Sequence, residues 1–589
     1  GESALSFYRE WAKLDTLFAL GTWGTVSYQW PDSIQRDRLS DDRPCLTINR
    51  MRGFIRQAAN RARQANLRIK VSPVDDSWDP KVAEVLQGII RNIERTSFAD
   101  RAYATAADKQ AETGLSFFRL TTEWADDTSF RQRIKIKRVK NPGRVIFDPA
   151  GTEEPDFSAC EYIFYVTDVD ADVYEAITGK PAPAQNGLTW ASDTAVASDW
   201  FPSGKKIRIA KYYCVEREEY TLIELASGEA VKEADFTAMV KAEFARAKSI
   251  DPFVDDSEKT IKEFADNWRQ NKQVVRRERK VRKRYWVDRV ITPDEILEEN
   301  IWPASSHPLI PNVGEELENP ETGELDWRGV VRDAADAAKA YNVEVTGLVE
   351  DIGLGHKSPV VGYKGQFGVE GSAQRKAWQL ANKKPVAFLE VDPLPQDDGK
   401  FAPLPVRNSY SPDIGATVMG IRQSDEDLKS TAGYHDASLG ERGPQESRVA
   451  IEARQRQDEH QNSHYLDNLR FAIAVAGKQL IELIRVVYDE PTVVRITGDG
   501  DRTRKVLVFA GKDKDPRREE FLEKDPATGR PMPYQPPKGV DPDEIYDLSV
   551  GEFDVEVSAG QDPGSRRRDA TNQLIDVMKV IPPAMAAVT

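Results

Sequence analysis

The residues that most constrain this chain run from Glu446 to Gly498, "ESRVAIEARQRQDEHQNSHYLDNLRFAIAVAGKQLIELIRVVYDEPTVVRITG". In the second half, Leu469, Ile473, Ala476, Leu480, Leu483 and Val487 recur at helical spacing and make one apolar face. The first half carries Gln455, Gln457, Gln461 and Asn462 where a core helix would carry leucine. A single long helix of this kind must change partners along its length. The apolar half is expected in the subunit's own core. The amide half is expected to face something else, since amides can hydrogen-bond without burying charge.

A chain of 589 residues, at roughly 150 residues per domain, is expected to form three to five domains. With 40% hydrophobic and 30% charged residues it is a folding sequence, not a disordered one. No run approaches the ~18 consecutive apolar residues of a membrane span, so no membrane partner is expected. Cys45, Cys160 and Cys214 lie far apart with no CxxC pair, which argues against a disulfide framework or a zinc site. The net charge of −15 disfavours tight, general DNA binding, which depends on Lys and Arg neutralising phosphates. It suits a surface that DNA passes without sticking.

Periodicity predicts an α+β chain. Residues 5–70 read as helical, with stops at Gly21 and at the extended "RIKVSP", and 77–114 as a second helical region stopping at Gly114. Residues 115–168 alternate as strands, followed by a helix at 171–178 and a Pro/Gly-rich loop to 205. Residues 205–310 read as one inserted α+β module, with a charged helical insert at 229–272 between strand-like flanks. An Ala-rich helix is expected over 325–355, starting at Asp326–Trp327. A Gly-rich loop and a short helix near 372–382 follow, then extended segments leading into the long helix. Strand pattern returns at 491–512 and 551–560, separated by a charged, Pro-rich loop, and a further helix is expected to begin after that.

Motifs of site chemistry fail on inspection. "GLGHKS" (353–358) lacks the G-x4-G-K-[ST] spacing that wraps a phosphate. Asp168, Asp170 and Asp172 have calcium-loop spacing, but Val173 and Gly179 stand where the loop needs Gly and a bidentate Glu. His460 and His464 are an i, i+4 pair, but Gln461 occupies the position of a metalloprotease base. No catalytic residue, metal site or cofactor is expected. The densest basic run, "RRERKVRKRYW", holds Arg276, Arg277, Arg279, Lys280, Arg282, Lys283 and Arg284 beside Tyr285 and Trp286. Two readings stay open: a nucleic-acid or partner surface using charge and stacking, or a strand whose charges pair with "EREEY" (216–220) across a sheet.

Three stretches, in this order, resemble the portal proteins of tailed phages in the short-tailed form. The first runs from "DRPCLTINRMRGFIRQAANRARQANLRIKVSPVD" through "NPGRVIFDP" to "CEYIFYV"; the others are "DWRGVVRDAADAAKAYN" and the long helix above. What the resemblance implies is a structural subunit and not an enzyme. It implies a homo-oligomeric ring, twelve copies in number, at one capsid vertex of the virion, assembled in the host cytoplasm. Double-stranded DNA would pass non-specifically through its channel. The packaging terminase would dock first and head–tail adaptor proteins later, and capsid and scaffolding proteins would surround it. In those terms 1–204 would be the N-terminal wing leading into the first stem segment, 205–310 the clip-like module and 311–355 the second stem helix. Residues 356–371 would be a tunnel loop, 372–512 the C-terminal wing and 513–589 a loop and the start of a crown.

Lys357 and Lys364 are then candidate DNA-channel contacts. Gln455, Gln457, Gln461 and Asn462, with Ala334 and Ala338 of the Ala-rich helix, are candidate subunit-interface residues, since small side chains permit close helix approach. The competing readings are a metal-dependent nucleic-acid-processing enzyme, which should show turnover by the isolated chain, and a capsid adaptor or scaffold without a channel.

Overall fold

The computed structural model describes most of residues 2–559. Outside the described residues lie 183–205, 251–257, 356–359, 382–385, 408–413, 434–462, 498–502, 519–533 and 560–589, with Gly1 and interior gaps of one to three residues. The amide-rich half-helix (Gln455, Gln457, Gln461, Asn462), Lys357 and the helix expected after Gly560 all fall there.

Helix α1 (Glu2–Leu20) stops where Gly21 adopts φ +83°. The short pair β1 (Thr22–Trp23) and β2 (Val26–Ser27) leads to α2 (Asp32–Ser40), an extended segment, α3 (Met51–Gln64) and β3 (Leu67–Pro73). Next come α4 (Pro80–Ser97), capped by Asp79 accepting from the Lys81 amide, and α5 (Ala99–Thr113). The single helical region expected over 77–114 is therefore two helices, broken at Phe98, whose φ is +53°. Gly114 ends α5 at φ +80°, and a Cβ there would collide with the Trp327–Arg328 backbone.

Strands β4 (Leu115–Trp124) and β5 (Gln132–Arg138) form a hairpin. A second, larger sheet begins with β6 (Val145–Phe147) and β7 (Tyr162–Asp170), the latter followed by α6 (Ala171–Thr178). It continues through β8 (Lys206–Leu225), with β9 (Ala230–Lys232) paired to it. After helices α7 (Glu233–Ile250) and α8 (Glu258–Gln270) it is completed by β10 (Val275–Ile291) and β11 (Ile296–Trp302), in the order β11-β10-β8-β7-β6. Pairing of β7 with β8 from Tyr162↔Cys214 to Asp170↔Lys206 carries this sheet across the boundary expected at 205. Its distal end has a core of its own, where Phe236 and Val240 of α7 cover Ile223, Leu225 and Val275.

Strand β12 (Leu309–Val313) completes the order β12-β4-β5. Then β13 (Glu315–Glu318) pairs with β14 (Leu325–Arg328). Asp326 and Trp327 thus belong to a hairpin, and α9 (Val330–Gly355) begins only at Val330, so 311–329 is not part of the helix expected over 311–355. A small unit follows: β15 (Val360–Val361), α10 (Ala373–Leu380) and β16 (Val406–Arg407). Helix α11 (Ile414–Thr431) was not expected from the sequence. The described part of the long helix is α12 (Ser463–Val487). Strands β17 (Thr492–Thr497) and β18 (Thr503–Phe509) are antiparallel, β19 (Ile545–Asp547) is parallel to β18, and β20 (Phe553–Ala559) pairs with β3.

Helix α12 forms the middle of the main core. Leu469, Ile473, Ala476, Leu480 and Leu483 are all buried there and Val487 packs at its margin, as the apolar half of the pattern requires. Each fully buried Leu or Ile contributes about 1.5–3 kcal/mol. A second core joins α1, α3, α5, α9 and α11 through Phe18, Met51, Phe54, Ile55, Val331 and Leu428. Ala334 and Ala338 are buried in it, at 0% and 4% exposure. The expectation that these two alanines face a neighbouring subunit is corrected: their small side chains let α9 approach helices of its own chain.

Candidate interaction surfaces

The basic strand β10 lies in antiparallel register against β8, with Arg282 opposite Glu219, Lys283 opposite Glu218 and Tyr285 opposite Glu216. Arg276 and Arg277 both pair with Glu224, and Arg282 pairs with Glu219 at 2.5 Å. Arg284 donates to the Cys160 carbonyl and lies 5.5 Å over the Trp286 ring. Trp286 is itself 1% exposed, and the Tyr285 hydroxyl donates to Glu216 at 3.1 Å. Trp286 therefore offers no stacking face, while the Tyr285 ring stays half-exposed with its hydroxyl engaged. Arg279, Lys280 and Lys283 remain exposed. Exposed ion pairs of this kind are worth about 0–1 kcal/mol each, so they set register and solubility more than stability.

Further along β10, Arg289 donates to Glu299 at 2.7 Å, to Glu216 at 2.5 Å and to the Cys214 sulfur at 3.0 Å. Its hydrogen bond holds the Glu216 carboxyl below the usual range. Burial pushes the Cys214 thiol up. Asp168 is held by Arg208 at 2.8 Å and serves as an ion-pair partner within the sheet. Among the described residues no group of three or more His, Cys, Asp or Glu converges as a metal site, and no helix is long and apolar enough to cross a membrane.

The Gly-rich segment is more ordered than a free loop in its described part. Gln366, 1% exposed, accepts from the Tyr363 amide at 2.8 Å and donates to the Pro403 carbonyl at 2.8 Å. Its own carbonyl accepts from the Asp392 amide, and Phe367 meets Trp378 edge-on at 5.2 Å. Gly365 and Gly368, at φ +107° and +83°, supply the turn. Lys364 is exposed on this clamped turn.

The quoted "RPCLTIN" segment has a role that sequence reading missed. Extended residues 43–48 run antiparallel along α9. The Ile48 amide donates to Asn342 at 2.9 Å, the Leu46 amide to Thr346 at 3.3 Å, and Arg43 donates to both oxygens of Glu350 at 3.0 Å. Asn342, Thr346 and Glu350 are spaced one per turn, which puts them on one helix edge. Asn49 donates to the Ala19 carbonyl, and Gln29 donates to Asn49. The polar i, i+4, i+8 series on α9 was the available signal; it passes unnoticed inside an Ala-rich helix.

These features describe a chain of mixed helices and sheets whose polar side chains hold strands and straps in place. Comparison with known proteins assigns its class: it is a phage portal protein. A profile of the phage P22-like portal protein family matches residues 6–589, and the chain belongs to that family. It is also 25% identical over 544 residues to the "Portal protein" of Acyrthosiphon pisum secondary endosymbiont phage 1, an alignment covering 90% of this chain and 67% of that protein. Capsid assembly, genome packaging and head–tail connection are the processes that fit the family.

Proposed function

We propose that copies of this chain close into a ring, about twelve in number, at one capsid vertex, and that the genome enters and leaves through its axis. The observation that carries this reading is the family match from residue 6 to residue 589, which covers nearly the whole chain. A head-to-tail contact between unlike surfaces closes into a ring when the rotation between copies allows it. In this reading the chain is a conduit, and the packaging motor and then the tail adaptors dock on it in turn. The distal end of β8 and β10 with α7 and α8 is the clip-like docking module, and its exposed Arg279, Lys280 and Lys283 are available to a partner. Helix α9 is the stem, Lys357 and Lys364 face the passing DNA, and the amide face from Gln455 to Asn462 meets a neighbour or the lumen.

The charge supports passage over adhesion. At −15 per copy, twelve copies carry about −180, a field that repels phosphate and leaves a few lysines as local contacts only. Negative-stain imaging of the purified chain tests the reading: end views should show rings with an open axial hole. Closed discs or irregular particles would instead favour an adaptor without a channel, and metal-dependent turnover of DNA by the isolated chain would favour the enzyme reading.

A further inference from the structure

The described residues of 360–407 show no hydrophobic core of their own. Val361, Val369, Phe388, Phe401, Leu404 and Val406 are each at least 60% exposed. Among the described residues between Tyr341 and Leu428 no hydrophobic side chain is buried. The hydrogen bonds that shape the unit run within it: Gln366 to Pro403, Trp378 to the Glu390 carbonyl at 2.7 Å, and the Ala402 amide to the Leu394 carbonyl at 2.8 Å. So much exposed aromatic and aliphatic surface on one short unit marks an interface awaiting its partner.

A second surface, on α9, is built to receive something. At 100° per residue its core edge, with Ala334, Ala338 and Tyr341, lies opposite Asp336, Ala340, Val343 and Gly347. One flank of that outer stripe is the 43–48 strap, docked on Asn342, Thr346 and Glu350. The other flank is α11, where Ser424 donates to Glu344 at 2.9 Å. Gly347 forms the floor between them, and a Cβ built on it meets nothing within 4 Å. A mid-helix glycine costs about 1 kcal/mol against alanine. No atom of the described residues calls for that cost here. Leu46 and Ile48 of the strap are exposed.

We propose that the 360–407 unit of one copy seats in the α9 groove of the next copy. This rests on the ring reading and names the two unlike surfaces such a ring needs. Charge selects a second copy as the occupant. In a chain of net −15, residues 360–407 carry seven Lys/Arg and five Asp/Glu, net +2, while α9 carries two Arg/Lys and five Asp/Glu, net −3. The unit's exposed apolar residues suit the apolar part of the stripe, and its net positive charge suits the net negative charge of α9, where Asp336 stays exposed while Glu350 is already paired with Arg38 and Arg43. A nucleic acid would be repelled by that negative charge.

The test is an assembly experiment with two altered full-length chains. One carries Phe388→Ser and Leu404→Asp; the other carries Val343→Asp and Gly347→Gln. All four positions are exposed or open, so both chains should melt as the wild-type monomer does. Each alone should lose its oligomer by about tenfold or more, because a charge is placed in an apolar contact. Mixed in equal amounts, they should form pairs and nothing larger, since one intact unit and one intact groove remain. Unchanged rings from either altered chain overturn the pairing while leaving the ring reading standing. A lowered melting temperature of either monomer also overturns it, because the unit would then be closing on its own groove. A wild-type chain that never associates overturns both.

Discussion

At the scale of single residues, the clearest consequence of burial is at His307. The ring is fully buried, with Nε2 3.1 Å from the Phe157 carbonyl and Trp286 edge-on at 5.4 Å. Burial drives its pKa from 6.5 down to about 4, with Arg284 lowering it further and Asp156 raising it. Below pH 6.5 the unfolded chain takes up a proton that the native chain refuses until about pH 4. The contribution of His307 is therefore full above pH 6.5 and lost progressively towards pH 4, by up to about 3 kcal/mol. Asp15, raised to about 6 by burial against the pull of Arg332, and Glu94, raised to about 7 by burial, act in the opposite sense. The measurement is thus a difference: unfolding free energy of wild type minus that of His307→Asn, from pH 7 to pH 4. The difference should shrink by at least about 1 kcal/mol over that window; a pH-independent difference would refute a neutral buried imidazole. Nothing in the sequence marked this histidine. Its burial comes from Trp286 and Gln479, which reach it from β10 and α12, elements far apart in the chain.

At the scale of elements, α12 carries the most specific expectations. Leu480 is 0% exposed in the main core. Leu480→Ala should cost about 2–5 kcal/mol, and Leu480→Asp should prevent folding, both read by chemical denaturation. Gly477 decides between two opposing effects. Alanine would gain about 1 kcal/mol of helix propensity, but its Cβ would lie 2.7 Å from Val555 Cγ1 and 3.3 Å from Ile69 Cγ2, on the ribbon of β3 and β20. Overpacking at that closeness costs about 1–3 kcal/mol, so Gly477→Ala should be neutral to destabilising; a stabilised protein would show that the ribbon yields. The apolar half of α12 was legible because its periodicity is strong and its partners are all in the core. Helix α11 was not, because Asp425 interrupts its apolar series of Ile414, Val418, Ile421 and Leu428, and only Ser424, Leu428 and Lys429 are buried along it. The break at Phe98 was hidden because nothing in a phenylalanine announces a left-handed backbone. Asp326 before Trp327 imitates a helix cap, and only the distant β13 shows it to be part of a strand.

At the scale of the whole molecule, the family and the broad α+β character were readable from the order of three stretches, while the interaction surfaces were not. Alanines chosen for an intersubunit face serve an internal core, while of the two readings of the basic strand it is the pairing with residues 216–220 that the register shows. The alanine misreading has a plain cause: composition cannot tell which face of an element its own chain covers. The amide half of the long helix still yields a direct test. In the proposed ring, Gln457→Glu should leave circular dichroism unchanged but weaken assembly by placing an unpaired charge in the proposed contact; unchanged assembly would make that face ordinary surface. The central claim is that this chain's purpose is a closed ring. Mass photometry of the purified protein measures it most directly. A discrete species near twelve times 66.2 kDa is the expected result, and a strictly monomeric chain at every concentration would contradict the account.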